Sequence, residues 1–559
     1  MKKLHPAISD LKEQYCNGTM SRREFIRYAT LLGVSVGSAS TILAGCSPEP
    51  TAAPVEATEA PKPTATPEPT GPRRGGTVRV ATFVPGLDHP ARVSEQQALP
   101  ALRHVFEYLT FTDWDGLTRP FLLESWEASD DLQTWTLNLR QDVTFSNGDA
   151  FNADDVVFTM KEWLNPEVGS SMRGLMSYLQ PEGIEKVDDY TVRLQLDSPQ
   201  IAIPEHLFHY PGMILNHRTF QGNILDAPIG TGPFTLDEYL VGERVVCKAR
   251  DDYWQMGEDG KPLPYLNEIL LTDLGEDQTA YVSAFKSGQI DAFHMPQPAT
   301  WEAMKDDPNA VVEPVSTGRT VVLRMRADQA PWDDERVRLA LKLCQDRQHI
   351  LDVVFFGQGV LGADTHVAPA HPEYCPIEPP AYDPERAKEL LAEAGFPDGL
   401  EFDLTVASTG YYVSFAEALK QLAEPAGITV NIVTMSQSQY SQGWTEHTVG
   451  ITGWGHRPLA VMVLPLAYGC TDGELASWNE SHWCDEEFNE LLTEAQGTLD
   501  LEKRREIMCE LERIQQERGT SGISFWQNQW GIIRNNFKNF RAHPTNYLIF
   551  REVWQESEA

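Results

Sequence analysis

The sequence predicts an α/β protein that has more than one domain. Residues 77–83, 134–139 and 190–196 alternate between apolar and polar side chains, which is typical of strands with one buried face. Residues 401–407 and 428–435 also have strand-like composition and enclose a helical stretch, as in a β–α–β unit. The chain has 559 residues. That length is too great for one ordinary core, so we expect roughly two to four domains.

Several helices can be placed from the signals at their ends. Residues 152–164 begin with Asn152 as the N-cap, and Asp155 is placed to complete a capping box. Residues 383–394 open with Asp-Pro-Glu, a strong helix start, and stop before a glycine. Residues 334–356 carry apolar side chains near helical spacing, so we expect one long helix there.

The first 46 residues have the features of an export signal. Arg22 and Arg23 form a twin-arginine pattern, and the uncharged run 28–45 that follows is too weakly apolar for a stable membrane span. The run ends in Leu-Ala-Gly before Cys46, which resembles the lipobox of bacterial lipoproteins, where the cysteine is diacylated and becomes residue one after cleavage. We therefore expect a twin-arginine lipoprotein signal peptide over residues 1–46. The mature protein would be anchored outside the cytoplasm by lipidated Cys46, because two acyl chains give stable attachment.

The composition excludes some partners. Residues 47–74 form a Pro/Thr/Ala/Glu tract with almost no core-forming side chains, so we expect a disordered tether. The whole chain has a formal net charge of −36 at pH 7. It therefore lacks the basic surface that nucleic acid or polybasic membrane adhesion requires. With 41% hydrophobic residues, the remainder is expected to be globular.

The cysteines favour an oxidising compartment. Of eight cysteines, Cys16 leaves with the signal peptide and Cys46 is used for lipid, so six remain in the mature chain. No two cysteines have the C-x-x-C spacing of a zinc ribbon or thioredoxin-like motif. Cys470 and Cys484 flank a polar loop and are the best candidates for a disulfide.

No set of residues in the sequence suggests catalysis or a cofactor. His206 and His209 lie three residues apart and could share a metal, but no third ligand is placed beside them, which favours a structural role. We therefore predict no enzyme activity, no metal and no cofactor. An exported enzyme stays an alternative, because twin-arginine export commonly carries folded proteins, often with cofactors.

A series of short phrases along the chain is more informative than any single motif. The most distinctive is 228–234, PIGTGPF, in which the glycines permit a tight turn before a strand. The other phrases are 75–81, 104–107, 123–127, 135–140, 143–148, 153–158, 286–291, 337–341 and 346–347. In order and spacing they resemble family 5 of the extracellular solute-binding proteins, the oligopeptide-, dipeptide- and nickel-binding subunits of ABC importers.

The resemblance implies a fold and a way of working. It implies a two-lobed periplasmic-binding-protein fold (type II, cluster C-like) with an extra domain inserted in lobe one. Lobe one would comprise residues 75–118, 229–322 and 528–559, the inserted domain 119–228, and lobe two 323–527. Closure of the two lobes about a hinge would bury the ligand and form the surface that permease and ATPase subunits recognise.

The resemblance also implies a position for the ligand. In peptide-binding relatives a Gly-Trp pair starts a loop in lobe two, and a nearby aspartate holds the ammonium group of the peptide. Here Gly453 and Trp454 match, but His456 and Arg457 stand where the acid is expected. A buried arginine suits a carboxylate, a phosphate or sugar hydroxyls, and it would repel an ammonium group unless an acid such as Asp472 intervened. We therefore expect Trp454 to contact the ligand, as the resemblance implies, but we do not carry over the specificity for peptides.

Aromatic residues in the last third of the chain extend this candidate site. Tyr411, Tyr412 and Trp526 are added to it because aromatic rings stack on sugar faces and peptide planes. Alternatively, Trp454 is a core residue and Arg457 a salt-bridged surface group. The sequence as a whole predicts a lipid-anchored solute receptor of an ABC importer, for a peptide-like or other small polar solute. A sensory subunit of the same fold is an open alternative.

Overall fold

The structure, a computed structural model, describes Phe25 and residues 71–556, apart from residues 94–98, 115, 276, 409 and 472. Residues from Arg73 onward form one compact unit. Among the described residues, no helix combines the length and the apolar character needed to cross a membrane. The predicted export and anchoring residues lie outside the described residues, with most of the predicted tether; they are Arg22, Arg23 and Cys46.

The strands alternate with helices along the chain, as the sequence predicts. In order, the strands are β1 (Thr77–Thr82), β2 (Thr110–Thr112), β3 (Thr118–Pro120), β4 (Leu123–Ala128), β5 (Thr134–Leu139), β6 (Leu179–Asp188), β7 (Thr191–Leu196), β8 (Phe234–Leu240), β9 (Arg244–Ala249), β10 (Glu268–Asp273), β11 (Ala292–Phe293), β12 (Ala310–Met325), β13 (Gly359–Leu361), β14 (Leu400–Ala407), β15 (Ile428–Met435), β16 (Val449–Trp454), β17 (Cys470–Thr471), β18 (Glu474–Leu475), β19 (Ser521–Gly522), β20 (Phe525–Arg534), β21 (Phe537–Lys538) and β22 (Trp554–Gln555).

The helices vary from single turns to five turns. In order, they are α1 (Leu102–Val105), α2 (Ala153–Leu164), α3 (Ser171–Leu175), α4 (Ile203–His206), α5 (Gln278–Lys286), α6 (Pro298–Met304), α7 (Glu335–Leu343), α8 (Arg347–Phe355), α9 (Pro384–Glu393), α10 (Tyr412–Ala423), α11 (Gln437–Gln442), α12 (Leu464–Tyr468), α13 (Glu486–Gln496) and α14 (Leu501–Arg518).

The end signals in the sequence place two of these helices correctly. At α2, the Asn152 side chain accepts a hydrogen bond from the Asp154 N–H, and Asp155 accepts from the Asn152 N–H, which completes the predicted capping box. At α9, the Asp383 side chain caps the helix and proline occupies the first turn. Both predictions are confirmed.

The single long helix predicted over residues 334–356 is wrong. The structure has two helices there, α7 and α8, separated by residues 344–346. Asp346 takes an extended conformation and its carboxylate accepts a hydrogen bond from the His349 N–H, so it starts a second helix. An aspartate side chain accepts hydrogen bonds from nearby backbone N–H groups, which favours a helix start over a helix interior. A capping aspartate inside a run of apolar residues at helical spacing therefore divides that run into two helices.

Most of the strands belong to one large sheet. Its order is β15-β14-β16-β12-β20-β11-β1-β10-β9-β8, with β13 also paired to β20 and β19 to β12. Strands β14 and β15 run parallel with α10 between them in sequence, as the β–α–β pattern predicts. Strands early in the chain lie on one side of β12 and β20, and later strands lie on the other.

The two central strands join the halves of this sheet. Residues of β12 from Ala310 to Ser316 pair only with β20, and from Thr320 onward β12 also pairs with β16. The register between β12 and β20 shifts between Ser316 and Arg319, which marks a β-bulge at the change of partners. A bulge bends a strand locally, so the two halves of the sheet meet at a bend.

A separate four-stranded antiparallel sheet lies in the region between β3 and β8. Its order is β4-β5-β7-β6, and on β5 the side chains of Trp135, Leu137 and Leu139 are buried on one face. Each such side chain contributes about 1.5–3 kcal/mol when it is buried. The same continuous core contains residues from the last third of the chain, among them Trp454 and Trp526.

A hydrogen bond also joins these two regions directly. The Ile201 N–H donates to the Gln496 carbonyl, at 3.1 Å. The four-stranded-sheet region and the C-terminal third therefore pack together in this conformation.

Two disulfides cross-link the part of the chain that the structure describes. Cys470 and Cys484 are bonded, which confirms the pairing that the sequence suggested. Cys375 and Cys509 form a second bond between residues 134 apart, which the sequence did not reveal. Cys247 and Cys344 are buried thiols.

Candidate functional site

Trp454 ends strand β16, beside the central strands. Thr320 of β12 pairs with Trp454 on one side and with Trp526 of β20 on the other. Residues directly opposite in neighbouring strands point to the same face, so the two indoles share one face of the sheet. The His366 ring lies between them, 5.0 Å from the Trp454 ring and 6.0 Å from the Trp526 ring.

The polar edge of Trp454 is held by a buried acid. Its indole N–H donates to Glu480 Oε1 at 2.8 Å, and the residue is 5% exposed. Glu480 Oε2 accepts from the Thr452 hydroxyl at 2.6 Å and lies 2.5 Å from Arg324 Nε. Burial raises the pKa of Glu480, against the opposing effect of the Arg324 charge. The orientation of the indole is therefore fixed by an ion pair and hydrogen bonds behind it.

Arg457, three residues after Trp454, lies against the indole rings of Trp454 and Trp478. Its guanidinium carbon is 5.5 Å from the centre of the Trp454 ring and 5.6 Å from that of Trp478. The residue is 5% exposed, and its Nε is buried without a hydrogen-bond partner. Burial lowers the pKa of Arg457, and no carboxylate among the described residues contributes to the opposing electrostatic effects. The site therefore contains a buried cation with no counter-charge from the described part of the chain.

His456 connects this loop to the bulge in β12. The Gly318 N–H donates to His456 Nδ1 at 2.8 Å, and His371 Nε2 lies 3.0 Å from the Arg457 carbonyl oxygen. A Cβ atom at Gly318 would lie 2.9 Å from His371 Nε2 and 3.3 Å from His456 Nδ1, so a larger residue would force the His371 side chain to shift. Burial lowers the pKa of His456 well below its usual value, and nearby charges that include Arg319 and Arg457 add to this effect.

The remaining predicted residues lie elsewhere. A Cβ at Gly453 would lie 2.3 Å from Tyr412 Oη, so Tyr412 packs over Gly453. Tyr411 hydrogen-bonds through its hydroxyl to the Gln527 side chain. Consecutive strand residues point to opposite faces, so both tyrosines lie on the face opposite Trp454. The structure thus brings together Trp454, Arg457, His456 and Trp526, and it separates Tyr411 and Tyr412 from them.

Two further arginines near this site were not found by sequence reasoning. Arg103, on α1, lies with its guanidinium carbon 3.0 Å from the centre of the Tyr547 ring, and both of its terminal nitrogens are buried without hydrogen-bond partners. Arg319 follows Gly318 in the bulge of β12 and is half-buried. Neither stands in a motif, so no local signal in the sequence distinguishes them from surface arginines.

The two histidines considered for a metal are both buried. His206 contacts the Tyr178 hydroxyl through Nδ1, and burial lowers the pKa of His206 to about 3. His209 is also buried, and its ring lies 4.3 Å from that of Tyr210. Within the described ranges, no group of three histidine, cysteine or acidic side chains is placed to hold a metal ion.

Comparison with known proteins finds a matching family model and similar binding proteins. The family model described as "Bacterial extracellular solute-binding proteins, family 5 Middle" matches residues 118–473, more than half of the chain. The di/tripeptide-binding protein 1 of Pseudomonas aeruginosa is 29% identical over 490 residues, covering 81% of this chain and 89% of that protein.

Solved structures agree in fold. The PBP AgaA from A. tumefaciens R10, in complex with agropinic acid, superposes with a TM-score of 0.76 at 22% identity, covering 87% of this chain and 99% of that one. The periplasmic binding protein DppA from Helicobacter pylori, in complex with peptide STSA, has a TM-score of 0.75, also at 22% identity, over 87% of this chain and 99% of that one. The predicted α/β, two-lobed binding-protein fold is thereby confirmed.

Proposed function

Because the chain belongs to family 5 of the bacterial extracellular solute-binding proteins, we propose that it is the lipid-anchored solute-binding subunit of an ABC importer. Cys46 would carry the lipid after export through the twin-arginine signal at Arg22 and Arg23. The mature protein captures a small polar solute outside the cytoplasm and delivers it to the permease and ATPase subunits. Each relative and structure described above is named for binding or in complex with a solute, which supports binding in place of catalysis.

The central strands provide a way for two lobes to close. Lobe one is assigned to residues 75–118, 229–322 and 528–559, and lobe two to residues 323–527. The chain passes between them along β12 and β20, where the register shift lies. A hinge needs only a few residues that absorb backbone rotation, and a bulge between two paired segments supplies them. Residues 119–228, with the four-stranded sheet, form the inserted domain.

The ligand site is proposed at the Trp454 face and the Arg457 guanidinium. The observation that carries this proposal is the buried, uncompensated charge of Arg457 beside two indole rings. A charge of this kind costs free energy unless it meets an opposite charge, and a ligand can supply it. One relative is named for di- and tripeptides, and one structure contains agropinic acid. For this chain, Arg457 favours a solute that presents an acidic group over one that presents an ammonium group.

Binding can be tested on the purified mature protein. A panel of peptides, sugar acids, neutral sugars and metal chelates would be screened by thermal unfolding, because a ligand that binds only the folded state raises the Tm. Calorimetry with an acidic ligand from this screen would then compare wild type with Arg457→Met. We expect Arg457→Met to weaken binding by about 2 kcal/mol, or about 30-fold.

The matched control is Arg386→Met. Arg386 is exposed and, among the described residues, forms ion pairs only with Glu389 and Glu393 of its own helix, so its loss should leave affinity unchanged. If no compound in the panel shifts the Tm, and native mass spectrometry shows no carried-over small molecule, the receptor proposal is wrong. Equal affinities of wild type and Arg457→Met would place Arg457 outside the binding site.

The anchor requires its own experiment in cells. Cys46→Ser should abolish incorporation of labelled fatty acid and move the protein from the membrane fraction to the soluble fraction. Replacing Arg22 and Arg23 together with lysine should leave the precursor in the cytoplasm. Continued labelling of the Cys46→Ser variant would contradict a lipid anchor at this cysteine.

A further inference from the structure

Three arginines surround the candidate site, one from each structural part of the cleft. Arg103 comes from α1 in lobe one, Arg319 from the bulge of β12, and Arg457 from the loop after β16 in lobe two. Among the described residues, Nη1 and Nη2 of Arg103 and Nε of Arg457 are buried without a hydrogen-bond partner, and Arg319 is half-buried. This arrangement is unexpected in a protein with a formal net charge of −36.

Contacts connect the arginines through the central strands. Arg103 lies over Tyr547, whose ring centre is 5.8 Å from that of His543, and the His543 carbonyl accepts a hydrogen bond from Gln529 of β20, two residues from the Gln527 that pairs with Arg319. Burial lowers the pKa of His294 to about 4 and that of His456 well below its usual value; the charges of Arg103 and Arg319 add to the first effect, and those of Arg319 and Arg457 add to the second.

His209 is also buried, and burial, with the charges of Arg457 and Arg103, lowers its pKa well below the usual value. These electrostatic effects on the three histidines are those expected if the three arginines lie in one region. Direct contacts agree with this, since Gly318 next to Arg319 binds His456 next to Arg457.

Two buried acids in the neighbourhood, Glu480 and Glu107, are already used by other groups. Glu480 accepts from Trp454 and Thr452 and pairs with Arg324. Glu107 accepts from the Tyr253 hydroxyl at 2.5 Å and from the Trp254 indole at 3.1 Å. These contacts hold the two carboxylates in place, so neither compensates the three arginines.

Aromatic rings cover the cations on their other sides. Arg103 lies over Tyr547, and Arg457 lies against both Trp454 and Trp478. A cavity of about 50 Å³ adjoins Arg103 and is lined in part by Tyr108, Phe208 and Tyr547. Rings of this kind stabilise a cation and exclude water, but they leave its hydrogen-bond donors available.

We propose that the ligand is a small organic molecule with at least two acidic groups, carboxylate or phosphate, held between Arg103, Arg319 and Arg457. This inference rests on the proposed function and narrows its ligand class. Each guanidinium offers a planar fork of donors that matches a carboxylate or a phosphate. One acidic group cannot compensate charges that come from both lobes and from the hinge, whereas two or more can.

The same charges explain how the ligand would control closure. Closure brings Arg103 and Arg457 toward one another, and like charges in a cleft of low dielectric repel. A ligand with two acidic groups reverses the sign of this interaction and so favours the closed state over the open one. A ligand with one acidic group leaves part of the repulsion in place.

The test uses the mature protein and matched sets of probes. The first set is glutarate, adipate, citrate and N-acetylglutamate, each compared with the corresponding amide that has only one acidic group. A second set contains sugar bisphosphates and their neutral parent sugars, and a third contains zwitterionic dipeptides. Binding would be measured by calorimetry, and closure by the radius of gyration in solution scattering.

We expect at least one probe with two or more acidic groups to bind at least about tenfold more tightly than its singly charged amide or neutral parent, and to reduce the radius of gyration. Separate Arg103→Gln, Arg319→Gln and Arg457→Gln variants should each weaken that probe by about tenfold or more. Arg386→Gln is the matched control and should have no effect. For any glutamine variant that fails to fold, the lysine variant replaces it and should keep part of the affinity.

The outcomes separate this inference from the proposed function. Tight binding of dipeptides or neutral sugars, with no binding of any doubly acidic probe, overturns the inference and leaves the receptor function intact. Unchanged affinity in Arg103→Gln and Arg319→Gln also overturns it. If no probe of any set binds, and the purified protein carries no small molecule in native mass spectrometry, both are overturned.

Discussion

Two buried arginines near Trp454 differ in what compensates their charge. Arg324 is fully buried, and it has Glu480 at 2.5 Å from its Nε and the His447 carbonyl at 2.6 Å from a terminal nitrogen. Arg457 is almost as deeply buried, yet the described part of the chain gives it no carboxylate. Arg324, which is part of the structural core, therefore has a carboxylate partner within the protein. Arg457 has none among the described residues, so we expect a ligand to supply its counter-charge.

Breaking the compensated pair should have the largest effect. Glu480→Gln removes the negative charge beside Arg324 and leaves a buried cation unpaired, which should cost about 3 kcal/mol or more in the free energy of unfolding. Urea unfolding of the ligand-free protein measures this change. Glu389→Gln, on the exposed face of α9, is the control and should change stability by less than about 0.5 kcal/mol. A loss below about 1 kcal/mol for Glu480→Gln would show that the pair is not structural.

A change of pH tests the region of the uncompensated charge. Burial, with the charge of Arg457, lowers the pKa of His206 to about 3 in the folded state. The unfolded value is about 6.5. Folding therefore favours the neutral form of His206. Its contribution to the free energy of unfolding is complete above pH 6.5 and is lost as the pH falls toward 3.

Between pH 6.5 and pH 5, wild type should lose about 2 kcal/mol more stability than His206→Gln, which cannot titrate. Comparing the two proteins cancels the effect of carboxylates that titrate in both. His349→Gln, at an exposed position of α8, should follow wild type. Parallel stability curves for wild type and His206→Gln would mean that His206 is not buried in neutral form.

The smallest expected effect has the opposite sign. Arg457→Met replaces an uncompensated buried cation with an apolar side chain of similar length, so the ligand-free protein should gain about 1 kcal/mol in stability. The gain is limited because the contacts of the guanidinium with Trp454 and Trp478 are lost. Thermal and urea unfolding without ligand measure it. Destabilisation by this variant would mean that Arg457, like Arg324, serves the structure.

The sequence predicted what depends on local chemistry. The capping box of Asn152 and Asp155 involves residues three apart, and the Cys470–Cys484 disulfide closes a short loop. The division of residues 334–356 at Asp346 was missed, although its capping ability was visible, because the apolar spacing on both sides continues through it.

What depends on tertiary placement could not be predicted. Cys375 and Cys509 are joined across 134 residues, and nothing in the sequence pairs them. Arg457 was found because it stands where relatives are expected to have an acid. Arg103 and Arg319 lie in no such pattern. Arg103 becomes informative only when the fold buries its terminal nitrogens without partners among the described residues, and Arg319 only when the bulge places it beside the loop of Arg457.

The bulge at Gly318 has a mechanical consequence. The strand backbone touches His456 directly there, since the hydrogen atom in place of a side chain leaves no spacer between the strand and the loop that carries Arg457. A rotation of the Gly318 peptide unit would therefore displace His456 and the loop that carries Arg457, because one hydrogen bond joins them directly. The hinge proposed at this bulge and the loop that carries Arg457 would therefore move together.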